Sequence, residues 1–228
     1  MMYLSLYPLR HWLRSVSSAP QALLCLFLLT FAPVSPLSAT ERQNECFGED
    51  MGRRIEACSA IIDGKTAKDG DLALAYSARA LAYAVAGKYD RAIPDYDASL
   101  KLDPDSAVAL NNRAWAYVRS GLPEHGTEDV EKALALAPDS PQTLDTRAHI
   151  FQARGDTARA LRDYEDAIRF GGTEIVRLYQ CGLQSHALFA GDIDGLYTSE
   201  MRKALETCVA TSGCDPLPAD EECRKITS

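Results

Sequence analysis

The chain has 228 residues, 46% hydrophobic and 25% charged, with a formal net charge of −8 at pH 7. That length fits one or two domains, and 14 Gly with 11 Pro is too little for a disordered or collagen-like chain. Arg10 and Arg14 are the only Lys, Arg, Asp or Glu side chains among the first 39 residues, which leaves 22 basic against 32 acidic groups beyond them and argues against broad nucleic-acid binding.

Residues 1–39 read as a secretory signal peptide. Arg10, His11 and Arg14 form a basic start, and Ala22 to Phe31 is an apolar run well short of the ~20 residues a membrane span needs. Pro33 and Pro36 end it, and Leu37-Ser38-Ala39 is the expected cleavage site. The rival reading is an uncleaved anchor. Lipidation at Cys25 is a weaker third, because small residues do not precede that cysteine. After cleavage no stable membrane span is expected, and the protein is periplasmic or secreted.

Six cysteines then remain: Cys46, Cys58, Cys181, Cys208, Cys214 and Cys223. An even count behind an export signal points to disulfides in an oxidising compartment. The expected pairing is local: Cys46–Cys58, Cys181–Cys208 and Cys214–Cys223. No Cys-x-x-Cys is present, so neither redox catalysis nor a zinc ribbon has support.

Residues 40–72 hold one helix over about 50–63. Ile55, Cys58, Ile61 and Ile62 share a face that needs a partner, and Gly64 is a natural stop. The expectation is an N-terminal capping helix, with Lys65 to Asp71 as a polar link.

Residues 73–172 carry one pattern three times at a spacing of 34, over 73–106, 107–140 and 141–172. Ala80, Tyr83, Gly87, Ala92 and Tyr96 become Ala114, Tyr117, Gly121, Gly126 and Val130, then Ala148, Phe151, Gly155, Ala160 and Tyr164. A period of this size marks a solenoid of helix pairs. The first helices of the pairs are expected over 73–86, 107–120 and 141–154, and the second over 89–102, 123–136 and 157–170. Gly87, Gly121 and Gly155 suit the turn inside each pair. Ser106 and Ser140 suit the next helix's N-cap, and Pro141 its first turn. Pro94 falls inside a second helix and should kink it. Arg79, Arg113 and Arg147 recur at one position. Pairing with Asp95, Asp129 and Asp163 is favoured over a ligand-binding ladder.

Asn112-Arg113-Ala114-Trp115-Ala116-Tyr117 and Ala133-Leu134-Ala135-Leu136-Ala137-Pro138 carry a resemblance to the tetratricopeptide repeat family, over 100 of the 228 residues. The resemblance implies that the first helices line a concave groove binding a protein or peptide partner. The matching positions are Ser77, Leu81, Asn111, Trp115, Val118, Arg119, Asp145, His149 and Gln152. Trp115 is either a groove hot spot or core packing. Ser77, Leu81, Asp145 and His149 do not reproduce the lysine and asparagine clamp with which some members hold a terminal carboxylate.

Residues 173–211 read as C-terminal capping helices. Gly191-Asp192-Ile193-Asp194-Gly195-Leu196-Tyr197 resembles the turn of the small helical peptidoglycan-binding-like module, which makes peptidoglycan an alternative partner. Thr198-Ser199-Glu200-Met201 departs from that module's pattern, so a structural cap is an equal reading. A calcium loop fails for lack of oxygen ligands after Gly195. Residues 212–228 are a disulfide-stapled tail.

No nucleophile, base and orienter come together, and His125, His149 and His186 have no metal spacing. No metal, cofactor or enzymatic activity is expected. The fold class is all-α, a tetratricopeptide helical-hairpin solenoid with an N-terminal capping helix and a small C-terminal helical module. The function read from it is an exported, non-catalytic scaffold, or alternatively a cell-wall adaptor.

Overall fold

The computed structural model describes residues 38–64, 66–217 and 223. The signal peptide expected over 1–39 lies outside the described residues up to residue 37, as does the tail over 218–222 and 224–228. Among the described residues there are nine α-helices, one 3-10 turn and no strand. None of these helices is long and apolar enough to cross a membrane.

In chain order the helices are α1 (Ala39–Cys46), α2 (Met51–Gly64), α3 (Asp69–Val85), α4 (Tyr89–Leu102), α5 (Ala107–Arg119), α6 (Thr127–Leu136), α7 (Pro141–Ala153), α8 (Thr157–Ser185) and α9 (Ser199–Ala210). They pack in consecutive pairs, α3 with α4, α5 with α6, and α7 with α8, as an all-α helical solenoid. Each pair is closed by the same local chemistry. Gly87, Gly121 and Gly155 adopt φ of 70°, 80° and 74°, where a Cβ would be strained. In the residue just before each second helix or its opening turn, the amides of Lys88, Leu122 and Asp156 reach back to the carbonyls of Tyr83, Tyr117 and Phe151 at 2.8, 2.9 and 2.9 Å. Ser106 and Ser140 cap α5 and α7.

The bulky positions sit in matching pockets. The Tyr83 ring is covered by Arg91, Tyr117 by His125 and Phe151 by Arg159, always the residue eight further on. Tyr96, Val130 and Tyr164 are fully buried at the second-helix equivalent. The recurring arginines pair rather than line a site. Arg79, Arg113 and Arg147 each donate two hydrogen bonds, at 2.7–3.0 Å, to Asp95, Asp129 and Asp163. Those carboxylates are only 7, 5 and 6% exposed, so the pairing offsets a large desolvation cost. A third donor links neighbouring units: Arg113 to Asp97 at 2.7 Å and Arg147 to Glu131 at 3.2 Å. For Arg79 that place is taken by Ser59 of α2, so α2 stands where a preceding second helix would be.

Three elements differ from the sequence expectation. Residues 39–46 form a helix, because Ser38 and Glu41 make a reciprocal capping box. Cleavage after Ala39 would remove that cap. Helix α3 starts at Asp69, inside the expected linker, with Asp69 and Asp71 favourably placed in its first turn. The second helix of the middle pair opens with the 3-10 turn Pro123–Gly126, and α6 begins only at Thr127. A Cβ on Gly126 would lie 2.9 Å from the Ala114 Cα, so the backbones of this pair approach closer than alanine allows. Pro94 does not interrupt α4, which runs through it as one element.

The cysteine pairing is corrected in two of its three bonds. Cys46–Cys58 joins α1 to α2, as expected. The others are Cys208–Cys214 and Cys181–Cys223. Cys208 lies near the end of α9, and the chain turns back at Ser212-Gly213, so Cys214 meets it six residues later. Cys181 in α8 is then left for Cys223.

Candidate partner-binding face

Residues spaced by three and four along the first helices define one face. On α3 these are Leu74, Ser77, Leu81 and Val85, and on α5 they are Val108, Asn111, Trp115 and Arg119. On α7 they are Asp145, His149 and Gln152. The arginine ladder departs from the opposite side of the same helices.

Over α3 and α5 this face is open and apolar. Leu74, Val85 and Val108 are 59, 51 and 68% exposed. Ser77, Leu81, Asn111 and Trp115 are half-buried between them. Asn111 accepts a hydrogen bond from the Thr146 hydroxyl at 2.9 Å, which ties α5 to α7. Val118 is half-buried on the same helix. It packs against the core of Ala114, Val130 and Ile150.

Over α7 the face is filled by the chain's own segment Cys214-Asp215-Pro216. The Asp215 carboxylate accepts from Arg119 at 2.9 Å, from His149 Nε2 at 2.9 Å and from the Leu217 amide at 2.9 Å. Gln152 donates to the Cys214 carbonyl at 2.8 Å. His186 Nε2 lies 3.1 Å from the Asp215 carbonyl. Pro216 is fully buried. Trp115 stands against the His149 ring, edge to face at 5.0 Å, with the Arg119 guanidinium over its own ring. It therefore forms the wall between the open and filled halves.

Beneath Asp215 lies a buried polar network. His149 Nδ1 donates to the Asp145 carbonyl at 2.9 Å while Nε2 faces Asp215, and both partners are acceptors. A neutral imidazole carries one N–H, so satisfying both requires the imidazolium. Burial alone would push the His149 pKa down. The Asp145 carboxylate, then the hydrogen bond and charge of Asp215, outweigh it and raise the pKa to about 9. Burial raises the Asp145 pKa against the opposing pull of His149 and of the Tyr179 hydroxyl that donates to it. For Asp215 burial is overcome by the His149 bond and charge, with the Leu217 amide and Arg119 helping, and its pKa stays below the ordinary value. Tyr164 donates to Gln152 at 2.8 Å and holds that amide in position.

Of the nine positions taken from the resemblance, Arg119, Asp145, His149 and Gln152 gather around Asp215 or directly beneath it, with Trp115 at the edge. Ser77, Leu81 and Asn111 lie on the open half, and Val118 is half-buried against Ala114, Val130 and Ile150. Sequence reasoning missed Asp215, Tyr164 and Tyr179. Only the Asp145 and His149 spacing of four gave a local signal.

The C-terminal turn is satisfied internally. The Asp194 carboxylate accepts from Gln180 at 2.8 Å and from the Leu196 amide at 2.9 Å, and Gln180 accepts from the Gly195 amide at 2.8 Å. Gly195 has φ 78°, and a Cβ there would meet Thr173. Beyond Gly172, at φ 64°, the remainder of α8 behaves as one more first helix. It ends at Ser185 and turns at Ala187, φ 55°, with Leu188 reaching back to Leu183 at 2.9 Å, like the earlier turns.

Residues 73–106 match the family model described as tetratricopeptide repeat. That segment is α4 and most of α3. The match supports a tetratricopeptide repeat in that segment, and such a repeat suggests a protein-interaction scaffold. No curated protein matches the chain.

Proposed function

We propose that this chain is an exported, non-catalytic scaffold of three tetratricopeptide repeats, over 73–106, 107–140 and 141–172, that captures a protein or peptide partner on its first-helix face. The observation that carries the reading is the uncovered stripe over α3 and α5, where Leu74, Val85 and Val108 stand exposed beside Leu81 and Trp115. Large apolar side chains grouped on one face mark interaction surfaces. Three disulfides support an oxidising compartment, periplasmic or secreted. Asp194 and Gln180 spend their polar groups on their own turn, which favours a structural cap over a peptidoglycan adaptor.

A photo-crosslinking residue placed at Val108, and a control placed at Lys101 of α4, test the face in cells. The expected result is one discrete adduct from position 108 that disappears when Leu81→Glu is added. Equal adducts from both positions, or none from 108, overturn the reading.

A further inference from the structure

The segment 211–217 belongs to no helix and reaches the first-helix face through side chains of α5 and α7. Three donors from two helices converge on it. Arg119 and His149 take the two oxygens of one carboxylate, and Gln152 takes the carbonyl just before it. One carboxylate and one main-chain carbonyl are what an extended peptide presents to a receptor. The donors are held ready by others: His149 by Asp145, and Gln152 by Tyr164. Trp115 and the buried Pro216 add an apolar border. The arrangement is a peptide-binding subsite with an occupant already in it.

That occupant is tethered on both sides. Cys214, next to Asp215, is bonded to Cys208 of α9, and Cys223 is bonded to Cys181 of α8. Both bonds hold the segment close to α8 and α9. With both broken, it stays on the face only through noncovalent contacts and its backbone connection to α9.

We infer that Arg119, His149 and Gln152 form a subsite for an aspartate in an extended peptide, shut by the chain's own Asp215 and opened by a dithiol that reduces Cys208–Cys214 and Cys181–Cys223. In each reduction a dithiol thiolate attacks one sulfur, the S–S bond breaks, and two electrons and two protons end on the cysteine pair as two thiols. The dithiol leaves as its own disulfide. The inference rests on reading the first-helix face as the binding face, but it concerns the filled half and not the open one.

Hydrogen exchange of the full chain, with and without dithiothreitol, tests the release. Amides of 211–217 should lose protection on reduction while those of α5 and α7 keep theirs. Unchanged protection in 211–217, or protection lost in α5 and α7 together with it, overturns the proposal, because the segment is then a structural staple. Binding is tested with a labelled peptide of residues 211–217 carrying Cys214→Ser. The receptor is the full chain carrying Asp215→Asn, so that its own tail competes weakly. The peptide should bind the reduced receptor and not the oxidised one. A peptide that also carries Asp215→Asn should bind about tenfold more weakly, the worth of a charge-assisted hydrogen bond. Release without peptide binding, or binding indifferent to the aspartate, overturns the subsite. Either failure leaves the crosslink at Val108 unaffected, so the two readings fail separately.

Discussion

Replacing Asp215 with Asn keeps the shape of the side chain and removes its charge. The carboxylate holds Arg119 and His149 at 2.9 Å each, and both contacts are charge-assisted. Hydrogen bonds to charged groups are worth roughly 1.5–3 kcal/mol apiece, and the amide oxygen keeps a part of one. Relief of the half-buried carboxylate's own desolvation offsets some of the loss. A second route to the size starts from His149, whose rise from 6.5 to about 9 corresponds to roughly 3 kcal/mol shared between Asp145 and Asp215. The first route gives about 2–3 kcal/mol and the second, split between two carboxylates, about 1–2, so Asp215→Asn should cost about 1–3 kcal/mol, or roughly 3–10 °C in Tm for a domain of this size. The pH dependence has a definite sign. Folded His149 keeps its proton up to about pH 9, whereas the unfolded ring releases it near 6.5. Its contribution is therefore complete below pH 6.5 and is lost as pH rises through 9. The lowered pKa of Asp215 acts at the other end, with support present above about pH 3.8 and lost as pH falls. Arg119, Asp145, Tyr164, Tyr179 and His186 are the other titratable groups around the pair. Thermal unfolding followed by circular dichroism, with the His149 ring titrated by NMR, measures both effects. A Tm within about 2 °C of the parent together with an unmoved His149 titration would refute the reasoning.

Two further substitutions probe the solenoid itself. Arg113→Ala strands Asp129, only 5% exposed, as an unpaired buried charge and should cost about 3–5 kcal/mol in urea unfolding, whereas Asp97→Ala removes an exposed partner and should cost under about 1 kcal/mol. Equal effects would mean that the buried pair is not what holds the ladder. Gly126→Ala gains no helix-interior propensity, because Gly126 precedes α6, and it drives a Cβ to 2.9 Å from the Ala114 Cα, so a net destabilisation of about 1–2 kcal/mol is expected. A more stable variant would show that this pair of helices can move apart freely.

The repeated part of the fold was legible because its determinants are local or fall at one fixed spacing. Gly87, Gly121 and Gly155 end helices within their own turn. Ser106 and Ser140 cap the helix that follows. The Arg79, Arg113 and Arg147 pairs lie 16 residues from their acids in every unit. Helix α1 was legible too, in Ser38 and Glu41, but Ser38 also falls within the Leu37-Ser38-Ala39 cleavage pattern. The rest depended on how distant elements meet. Asp215 lies 96 residues from Arg119 and 66 from His149, and no spacing rule connects them. The pairing of Cys181, Cys208, Cys214 and Cys223 follows from the reversal of the chain after α9. Six cysteines allow 15 connectivities, and a preference for neighbours separates Cys208–Cys214 from Cys214–Cys223 by only a few residues of loop.

The two halves of the first-helix face obey different physics, and that difference bears on how a partner would engage it. The α3 and α5 half offers exposed Leu74, Val85 and Val108, and burying apolar surface yields affinity without demanding one geometry. Over α7 the donors Arg119, His149 and Gln152 are already satisfied, so any ligand there must match their geometry and also displace Asp215 and Pro216. Such an exchange is close to balanced when the incoming group is chemically equivalent, since one aspartate replaces another. The tethers at Cys214 and Cys223 then weigh against the partner, because they raise the effective concentration of a competitor that the backbone already attaches to α9. A partner spanning both halves would thus dock on the apolar stripe whatever the redox state and extend onto Arg119 and His149 only after the disulfides are reduced. Trp115, which borders both halves, is the residue whose loss should weaken both modes.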